Sequence, residues 1–182
     1  RTSDILEQVS VLNDNIFIYK TPRHIPLVQA RNYAIKIISE STKNPFYFGF
    51  CDADDLWDQS WVSSLINVSA NMPDILICNG ATIKNSEISR FSSCLSMTRL
   101  SPFYCPVSQQ SCLYSFDLYD NKLPFFDEDL TIIHDTEFWI RMRDRLTYVH
   151  ISDYLFFYRI HSSSMVQRYF FTIIKERWII LK

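Results

Sequence analysis

The chain has 182 residues and a formal net charge of -2 at pH 7, and hydrophobic residues make up 47% of it against 21% charged residues. This composition is typical of a folded globular domain, and the length suits a single domain with its own core. Only 2 residues are glycine, which excludes the glycine-rich phosphate loops of P-loop and dinucleotide-binding proteins. The near-neutral charge gives no global attraction to nucleic acid, so we expect no nucleic-acid partner.

The first half of the chain alternates predicted helices and strands. Apolar spacing predicts helices over residues 3–12, 27–39 and 59–70, and short apolar runs predict strands over residues 15–20, 46–51 and 74–78. The strand at 46–51 is apolar on both sides, which is typical of a central strand covered by helices. This alternation predicts an α/β fold whose mixed sheet is mainly parallel, with helices on both faces.

The predicted helix over residues 27–39 has one apolar side. Its buried face is predicted to hold Leu27, Ala30, Ala34, Ile37 and Ile38. Arg31 and Asn32 lie outside that face. They suit either a solvated surface or a brace for a sugar or diphosphate.

The second half of the chain has fewer regular patterns. Residues 80–115 are predicted to form loops with short strands, and residues 135–145 to form a helix with Phe138, Trp139 and Met142 facing inward. Residues 148–160 are predicted to form two short strands broken near residue 152. A last helix over 169–181 suits either a membrane surface or packing against the domain, and packing is the simpler interpretation. No linker or repeat divides the chain, so we expect one domain over residues 1–182.

Cysteine usage and the N-terminal residues indicate a cytoplasmic protein. The 5 cysteines lack paired C-x-x-C spacing, which predicts free thiols rather than disulfides or structural zinc. No charged-then-apolar leader follows Arg1, and no apolar run approaches the roughly 20 residues of a spanning helix. We therefore expect a cytoplasmic location, with the inner face of the membrane as the alternative.

A run of carboxylates directly follows the predicted strand at 46–51. Asp52 and Asp54 point to the same side because side chains alternate along an extended chain. Ligands of open α/β sheets collect at the carboxyl ends of strands. Two carboxylates there can hold Mg²⁺ or Mn²⁺, which shares its other positions with phosphate oxygens and water. The alternative is structural, with Asp54, Asp55 or Asp58 capping the next helix.

Two further segments carry groups suited to chemistry. Residues 127–137 hold five carboxylates and no Lys or Arg, and Asp135 lies near the start of a predicted helix. It is either a helix cap or a general base. Arg159 and His161 would point the same way from one strand. Both can address an anionic leaving group, and His161 can ligate a metal.

Taken in order, these segments resemble family 2 glycosyltransferases with the GT-A fold. The similarity extends over about residues 3–168, leaving the last helix outside it. The matching motifs are Ala30-Arg31-Asn32, the segment Phe50-Cys51-Asp52-Ala53-Asp54-Asp55-Leu56-Trp57, the turn Phe126-Asp127-Glu128, the segment His134-Asp135-Thr136-Glu137-Phe138-Trp139-Ile140-Arg141, and the strand Leu155 to His161.

The resemblance implies a role for each matched residue. Asp54, with Asp52, would hold Mg²⁺ or Mn²⁺ against the diphosphate of a nucleotide-sugar donor, and His161 would lie near that diphosphate or metal. Asp135 would be the base for the hydroxyl of a glycan or lipid-linked acceptor. The substrate-binding residues would be Arg31, Asn32, Asp52, Trp139, Arg141 and Arg159. The expected reaction inverts the anomeric carbon.

The sequence departs from this family in two places. His134 stands where the family motif has Glu, which removes a negative charge and predicts a pH-sensitive position. The family's opening strand and helix have no counterpart here, so we expect an N-terminally truncated transferase domain. Two alternatives remain open. One is a non-catalytic remnant that binds a sugar or a partner. The other is a different metal-dependent phosphoryl or nucleotidyl transferase.

Overall fold

The computed structural model describes residues 2–41, 47–93, 101–105, 107–119, 125–162 and 168–181. Its helices are α1 (Thr2–Val11), α2 (Leu27–Ser41), α3 (Trp61–Asn67), α4 (His134–Met142) and α5 (Phe170–Ile180). Its strands are β1 (Tyr47–Phe48), β2 (Leu56–Trp57), β3 (Ile75–Lys84), β4 (Glu87–Phe91), β5 (Cys112–Ser115) and β6 (Tyr148–Arg159). Short 3₁₀ helices, Gln109–Ser111 and Phe116–Leu118, flank β5.

The described strands form one mixed sheet in the order β1-β5-β3-β6-β2, with β4 also paired to β3. The pairing of β3 with β6 is parallel, and the other four pairings among these strands are antiparallel. The predicted α/β class with a mixed sheet is confirmed, but its parallel share is smaller than expected. One of the antiparallel pairings arises after β3, where the chain turns back through Asn85 and Ser86, both at positive φ, and continues as β4.

The core lies on both faces of β3, because alternate residues of this strand point to opposite sides. Ile75 and Ile77 face α2 and α4, whose Val28, Ile35, Phe138 and Trp139 belong to the same buried cluster. Leu76 and Cys78 face the other way, in the cluster that contains Trp61 and Leu65 of α3. Helices therefore cover both faces, as the near-continuous apolar run of the strand predicts.

Two predicted strands differ from the structure at the N-terminal end. The strand predicted over residues 15–20 is wrong, since this segment has no regular structure and Phe17 is 73% exposed. Alternating side chains form a strand only where a neighbouring strand accepts the backbone hydrogen bonds. The strand predicted over 46–51 is reduced to Tyr47–Phe48 at the edge of the described sheet, so its predicted central position is also wrong. Residue 46 lies outside the described residues.

The break predicted near residue 152 is a bulge inside one long strand. Ile151 pairs with Cys78 and Tyr154 pairs with Asn79, so Ser152 and Asp153 have no opposite residue on β3. The Asn79 side chain donates to the Ser152 carbonyl over 2.9 Å. This contact stabilises the irregular register, and β6 continues to Arg159.

The buried side of α2 differs from the prediction in a way that matters for the site. The buried residues are Val28, Arg31 and Ile35, which follow helical spacing along one face. Ala34 is exposed, and Ile38 is 38% exposed. The apolar pattern failed here because a charged side chain can be buried once partners from distant segments neutralise it.

Helix α5 packs against the domain through its own buried residues, Ile173 and Glu176. This agrees with the interpretation of packing rather than with that of a membrane surface. No helix of the described ranges has the length and apolar character to cross a membrane. Cys51, Cys78, Cys105 and Cys112 are free thiols, as predicted. Cys94 lies outside the described residues.

Candidate active site

Asp52, Asp54 and Asp135 line one cavity of about 510 Å³. Its walls come from the start of α2, the turn after β1, the segment before β5 and the start of α4. The two carboxylate segments that the sequence assigned to one site lie far apart along the chain, and the structure has them lining the same cavity. Both candidate chemical groups, the cation-binding turn and the base, face the same space.

The carboxylate of Asp52 is held by two donors. Its Oδ1 lies 2.5 Å from Arg31 Nη2, and its Oδ2 lies 2.5 Å from Gln110 Nε2. The backbone N–H of Asp55 donates to the Asp52 carbonyl over 3.0 Å and closes the turn. These two bonds fix the orientation of the Asp52 carboxylate and leave each oxygen a further lone pair, so its role as a metal ligand stays a prediction.

Asp54 and His161 form a more open pair at the same turn. The Oδ2 of Asp54 lies 2.7 Å from His161 Nε2, and this hydrogen bond is the main cause that lowers the pKa of Asp54. The Arg159 side chain donates through Nε to the Asp54 carbonyl over 3.0 Å. The end of β6 therefore holds the acidic turn in place, and His161, two residues beyond this strand, lies beside the carboxylate.

The next two aspartates have structural surroundings. Asp55 is 7% exposed and accepts the Arg159 backbone N–H through Oδ1 over 2.9 Å. Burial is the main cause that raises the pKa of Asp55 to about 6. Asp58 Oδ1 accepts the backbone N–H of Ser60 at 2.9 Å, just before α3. The N-cap of α3 is Ser60, without a side-chain cap hydrogen bond, so Asp58 closes the turn that leads into the helix and is not its cap.

Arg31 lies at the closed end of the cavity, with 7% of the residue exposed. Its Nη1 donates to Gln109 Oε1 at 2.5 Å and lies 2.9 Å from His134 Nε2. Burial, followed by the Arg31 charge, lowers the pKa of His134 to about 3. His134 is therefore neutral near pH 7 and accepts from the guanidinium.

Gln109 and Gln110 are cavity residues that sequence reasoning missed. Both side chains are buried, and they hold Arg31 and Asp52 respectively. The available signal was a polar Ser-Gln-Gln-Ser run directly before the apolar strand β5. Polar residues in that position need partners when the strand next to them is buried.

Asp135 lies in the first turn of α4, one residue after the helix begins. Its Oδ1 accepts the Thr136 backbone N–H at 2.7 Å. Burial is the main cause that raises the pKa of this carboxyl. A carboxylate at the cavity wall with a raised pKa is suited to accept a proton from a bound hydroxyl.

Aromatic side chains form the wall on the other side of Asp54. Phe91 and Phe156 line the cavity there, next to Thr82 and Tyr158. They pack over Gly80, where a Cβ atom would lie 2.5 Å from Phe91 Cζ and 2.8 Å from Phe156 Cδ1. Glycine at this position therefore allows the two rings to lie directly on β3.

Four predicted substrate-binding residues are not among those that line the cavity, and their role in binding stays a prediction. Asn32 binds both backbone groups of Phe126, at 2.8 and 2.9 Å. Trp139 is 0% exposed in the core, and Arg141 pairs with Glu137 at 2.7 Å. Arg159 holds the acidic turn as described. Their contacts position the elements that carry the site, because each bonds or packs against protein groups instead of the cavity.

The described residues contain no cluster of three or more His, Cys, Asp or Glu side chains arranged to hold a metal ion. Asp54 and His161 are the pair that could take part in such a site. They supply one carboxylate and one imidazole nitrogen. A cation bound there needs further ligands from its substrate and from water.

Comparison with known proteins gives a family and a fold. The family described as Glycosyl transferase family 2 matches residues 1–171. The fold is similar to the crystal structure of S. aureus TarS 1–349, with a TM-score of 0.66 at 13% sequence identity. That match covers 100% of this chain and 52% of that chain, so the chain spans about half the length of its structural neighbour. A search of curated proteins found no match.

Proposed function

Since the chain belongs to glycosyl transferase family 2, we propose that it transfers a sugar from a nucleotide-sugar donor to a hydroxyl acceptor with inversion of the anomeric carbon. The proposal treats residues 1–182 as one transferase domain. The observation that carries it is the shared cavity of Asp54 and Asp135. One group can address a leaving diphosphate, while the other can address an attacking hydroxyl.

The diphosphate is proposed to bind at the open pair. Asp54 is negative, so it binds a diphosphate only through a cation. The neighbouring His161 places an imidazole nitrogen beside the same carboxylate. The carboxylate and imidazole fit the ligand preferences of Mn²⁺, and the carboxylate also fits Mg²⁺. When bound there, the cation would stabilise the negative charge that develops on the leaving nucleoside diphosphate.

Asp135 is proposed to act as the general base. The acceptor O–H proton moves to its carboxylate, the acceptor oxygen forms a bond to the anomeric carbon, and the bond from that carbon to the phosphate oxygen breaks. The electron pair of the broken bond leaves with the nucleoside diphosphate. A free hydroxyl is a weak nucleophile, and proton removal by a positioned base typically contributes about 10² to 10⁴ in rate.

The raised pKa of Asp135 supports this assignment. A carboxylate of ordinary pKa is a weak base at neutral pH, and burial strengthens it. The neutral state of His134 also supports it, because the imidazole leaves the Arg31–Asp52 charge balance undisturbed beside the base. The buried end of the cavity thus stays polar without carrying a net charge of its own.

The acceptor is proposed to be a glycan or a lipid-linked hydroxyl. The partly exposed rings of Phe91 and Tyr158, backed by the buried Phe156, offer apolar surfaces in the cavity wall, which suit the apolar face of a sugar ring. Because nucleotide-sugars are made in the cytoplasm, the proposal places the reaction there or at the inner face of the membrane. A nucleotide-sugar and a hydroxyl acceptor are then its two small-molecule partners.

Thermal unfolding in the presence of Mn²⁺ and a nucleoside diphosphate tests the proposal. UDP, GDP, CDP and TDP are added in turn, each with and without Mn²⁺. We expect one of them to raise the Tm only when the cation is present, because ligand binding to the native state alone stabilises it. Asp54→Asn should remove this shift.

Asp144→Asn is the matched control. Asp144 is an exposed carboxylate that pairs with Arg143, and it does not line the cavity. It should keep the full Tm shift. A shift of equal size in Asp54→Asn would rule out the proposed cation site. Release of nucleoside diphosphate from a nucleotide-sugar, measured with an acceptor mixture, then tests transfer directly.

A further inference from the structure

Glu176 of α5 is buried to 3% exposure, yet it lies outside the motifs that carry the family resemblance and beyond the matched residues 1–171. A buried carboxylate is costly unless several donors surround it. The side chain of Glu176 therefore must have a specific partner. That partner is the segment that leads into α4.

Three consecutive backbone N–H groups converge on this carboxylate. Thr131 N donates to Oε1 at 2.6 Å, and Ile132 N and Ile133 N donate to Oε2 at 2.9 and 3.0 Å. Hydrogen bonds to an ionised acceptor are stronger than those between neutral groups. Glu176 thus fixes three successive residues through their backbone, whatever their side chains are.

The fixed segment ends at the residue that caps α4. Ile133 is the N-cap of this helix and supplies no side-chain cap hydrogen bond. Glu176 fills that function from another helix, and its negative charge lies at the positive end of the α4 dipole. Asp135 stands in the first turn of the same helix. Thr131, Ile132 and Asp135 all line the cavity.

We propose that Glu176 is a positioning residue for the base: it holds residues 131–133, and thereby the first turn of α4, so that the Asp135 carboxylate faces the acceptor hydroxyl. This inference rests on the proposed role of Asp135. It gives α5 a function in the reaction, although no residue of that helix lines the cavity. The position of a reacting group matters strongly, since a displacement of about 1 Å can cost roughly 10²-fold in rate.

The test compares Glu176→Gln with Ile173→Ala. Glu176→Gln keeps one oxygen acceptor and places an NH₂ group against backbone donors, whereas Ile173→Ala weakens the packing of the same helix without touching these hydrogen bonds. Amide hydrogen exchange over residues 131–133 is measured in both variants and in the wild type. We expect exchange in Glu176→Gln to be about tenfold faster or more, and Ile173→Ala to resemble the wild type.

Kinetics then separates positioning from a general loss of structure. We expect Glu176→Gln to lower kcat about 10- to 100-fold while KM for the nucleotide-sugar and the Mn²⁺-dependent Tm shift stay unchanged. Equal losses in Ile173→Ala would overturn the proposal, because they would show that any weakening of α5 suffices. Unchanged exchange at residues 131–133 would overturn it as well.

The exchange measurement does not depend on transfer activity. If no nucleotide-sugar is turned over and no Tm shift occurs in the wild type, the proposed function fails, while faster exchange in Glu176→Gln alone still establishes the contact. Should Glu176→Gln fold poorly, Glu176→Asp keeps the charge with a shorter reach. An intermediate exchange rate and an intermediate kcat are then expected, and wild-type values for both would overturn the proposal.

Discussion

The two ends of the cavity are built differently. The open end carries Asp54, which pairs with His161 just outside the lining residues, and their side chains are 50% and 35% exposed and share a hydrogen bond at 2.7 Å. The buried end centres on Arg31, whose side chain is 8% exposed and which binds Asp52, Gln109 and His134 at once. The comparison teaches that the protein pairs the charges of one end within a buried network, in which Gln109 Nε2 and His134 Nδ1 still have no hydrogen-bond partner among the described residues, and leaves the carboxylate of the other end partly in solvent.

The difference follows from the cost of burying charge. An ion pair in a low-dielectric interior must satisfy all its hydrogen bonds, so the buried end recruits two glutamines and a neutral histidine. A solvated carboxylate has no such requirement, because water stabilises it. A cation can therefore join the open end, where the Asp54 carboxylate is half exposed to solvent, at a lower cost than at the buried end. The variants proposed below each change one part of the cavity and leave the rest intact.

The largest effect is expected from Asp135→Asn. The amide cannot accept the acceptor proton, so kcat should fall about 10²- to 10⁴-fold. The Mn²⁺-dependent Tm shift should persist, because the open end is untouched. Initial rates of nucleoside diphosphate release give kcat, and thermal unfolding gives the shift. Loss of both together would show that the two ends do not work independently.

The same carboxyl sets the acid side of the pH profile. Because burial raises the pKa of Asp135, the base is protonated at a higher pH than an exposed aspartate. We expect kcat of the wild type to fall with decreasing pH at a point above the ordinary aspartate value of about 3.9. A profile measured from pH 4 to 8 checks this. A flat profile down to pH 4 would contradict the assignment.

Arg31→Met breaks the buried end. It removes the donor that Asp52, Gln109 and His134 share, and leaves partly buried acceptors without a partner. Removing one member of a buried pair typically costs several kcal/mol, and we expect the free energy of unfolding to fall by about 3 kcal/mol here. Urea denaturation measures this change.

Arg141→Met is the matched control for that experiment. Arg141 also pairs with a carboxylate, Glu137, within one helix, but its side chain is 41% exposed. Exposed pairs of this kind contribute about 0.3–0.5 kcal/mol, and the second hydrogen bond of Arg141, to the Phe125 carbonyl at 3.0 Å, adds about 1 kcal/mol. A loss in Arg31→Met as small as in the control would mean that the buried network contributes little to stability.

The contrast also explains how much the sequence could predict. Helical spacing predicted the five helices of the described ranges, and Asp54 and Asp135, which the motif order assigned to one site, line the same cavity. The burial of Arg31 was not predictable, because Gln109 and His134 are 78 and 103 residues away along the chain. A pattern within one helix reports its apolar face and carries no information on which distant groups will neutralise a charge.

Strand errors have a related cause. Residues 15–20 alternate as a strand does, yet no neighbouring strand pairs with them among the described residues. The sequence placed a break at residue 152, but could not show that the Asn79 side chain bridges it. Glu176 was missed because it acts on backbone groups, and a carboxylate that binds backbone N–H groups leaves no motif at either end.

His134→Gln tests the neutral histidine of the buried end through pH. In the folded protein the pKa of His134 is lowered to about 3, whereas the unfolded chain binds a proton near pH 6.5. Between these values the unfolded state takes up a proton that the folded state does not, so the wild type loses stability as pH falls. Glutamine keeps an acceptor for Arg31 and does not titrate.

We therefore expect the free energy of unfolding of the wild type to fall relative to His134→Gln between pH 7 and pH 5. The linkage slope is at most about 1.4 kcal/mol per pH unit, which gives roughly 1–2 kcal/mol over this range. Urea titrations at both pH values supply the comparison. Parallel behaviour of the two proteins would show that His134 takes up a proton in the folded state as readily as in the unfolded chain.

The smallest effect is expected at the open end, from His161→Gln. The amide retains a polar group beside Asp54 but is a weaker metal ligand than imidazole, so the Mn²⁺ concentration needed for half of the Tm shift should rise about tenfold, or roughly 1.4 kcal/mol. The free energy of unfolding without ligand should change by less than about 0.5 kcal/mol, because exposed pairs contribute little. With Mg²⁺ in place of Mn²⁺, the same substitution should raise the cation concentration needed for half of the Tm shift by a smaller factor, since Mg²⁺ gains less from a nitrogen ligand. A large loss of stability without any change in Mn²⁺ dependence would reverse the comparison, because the open end would then serve the fold rather than the ligand.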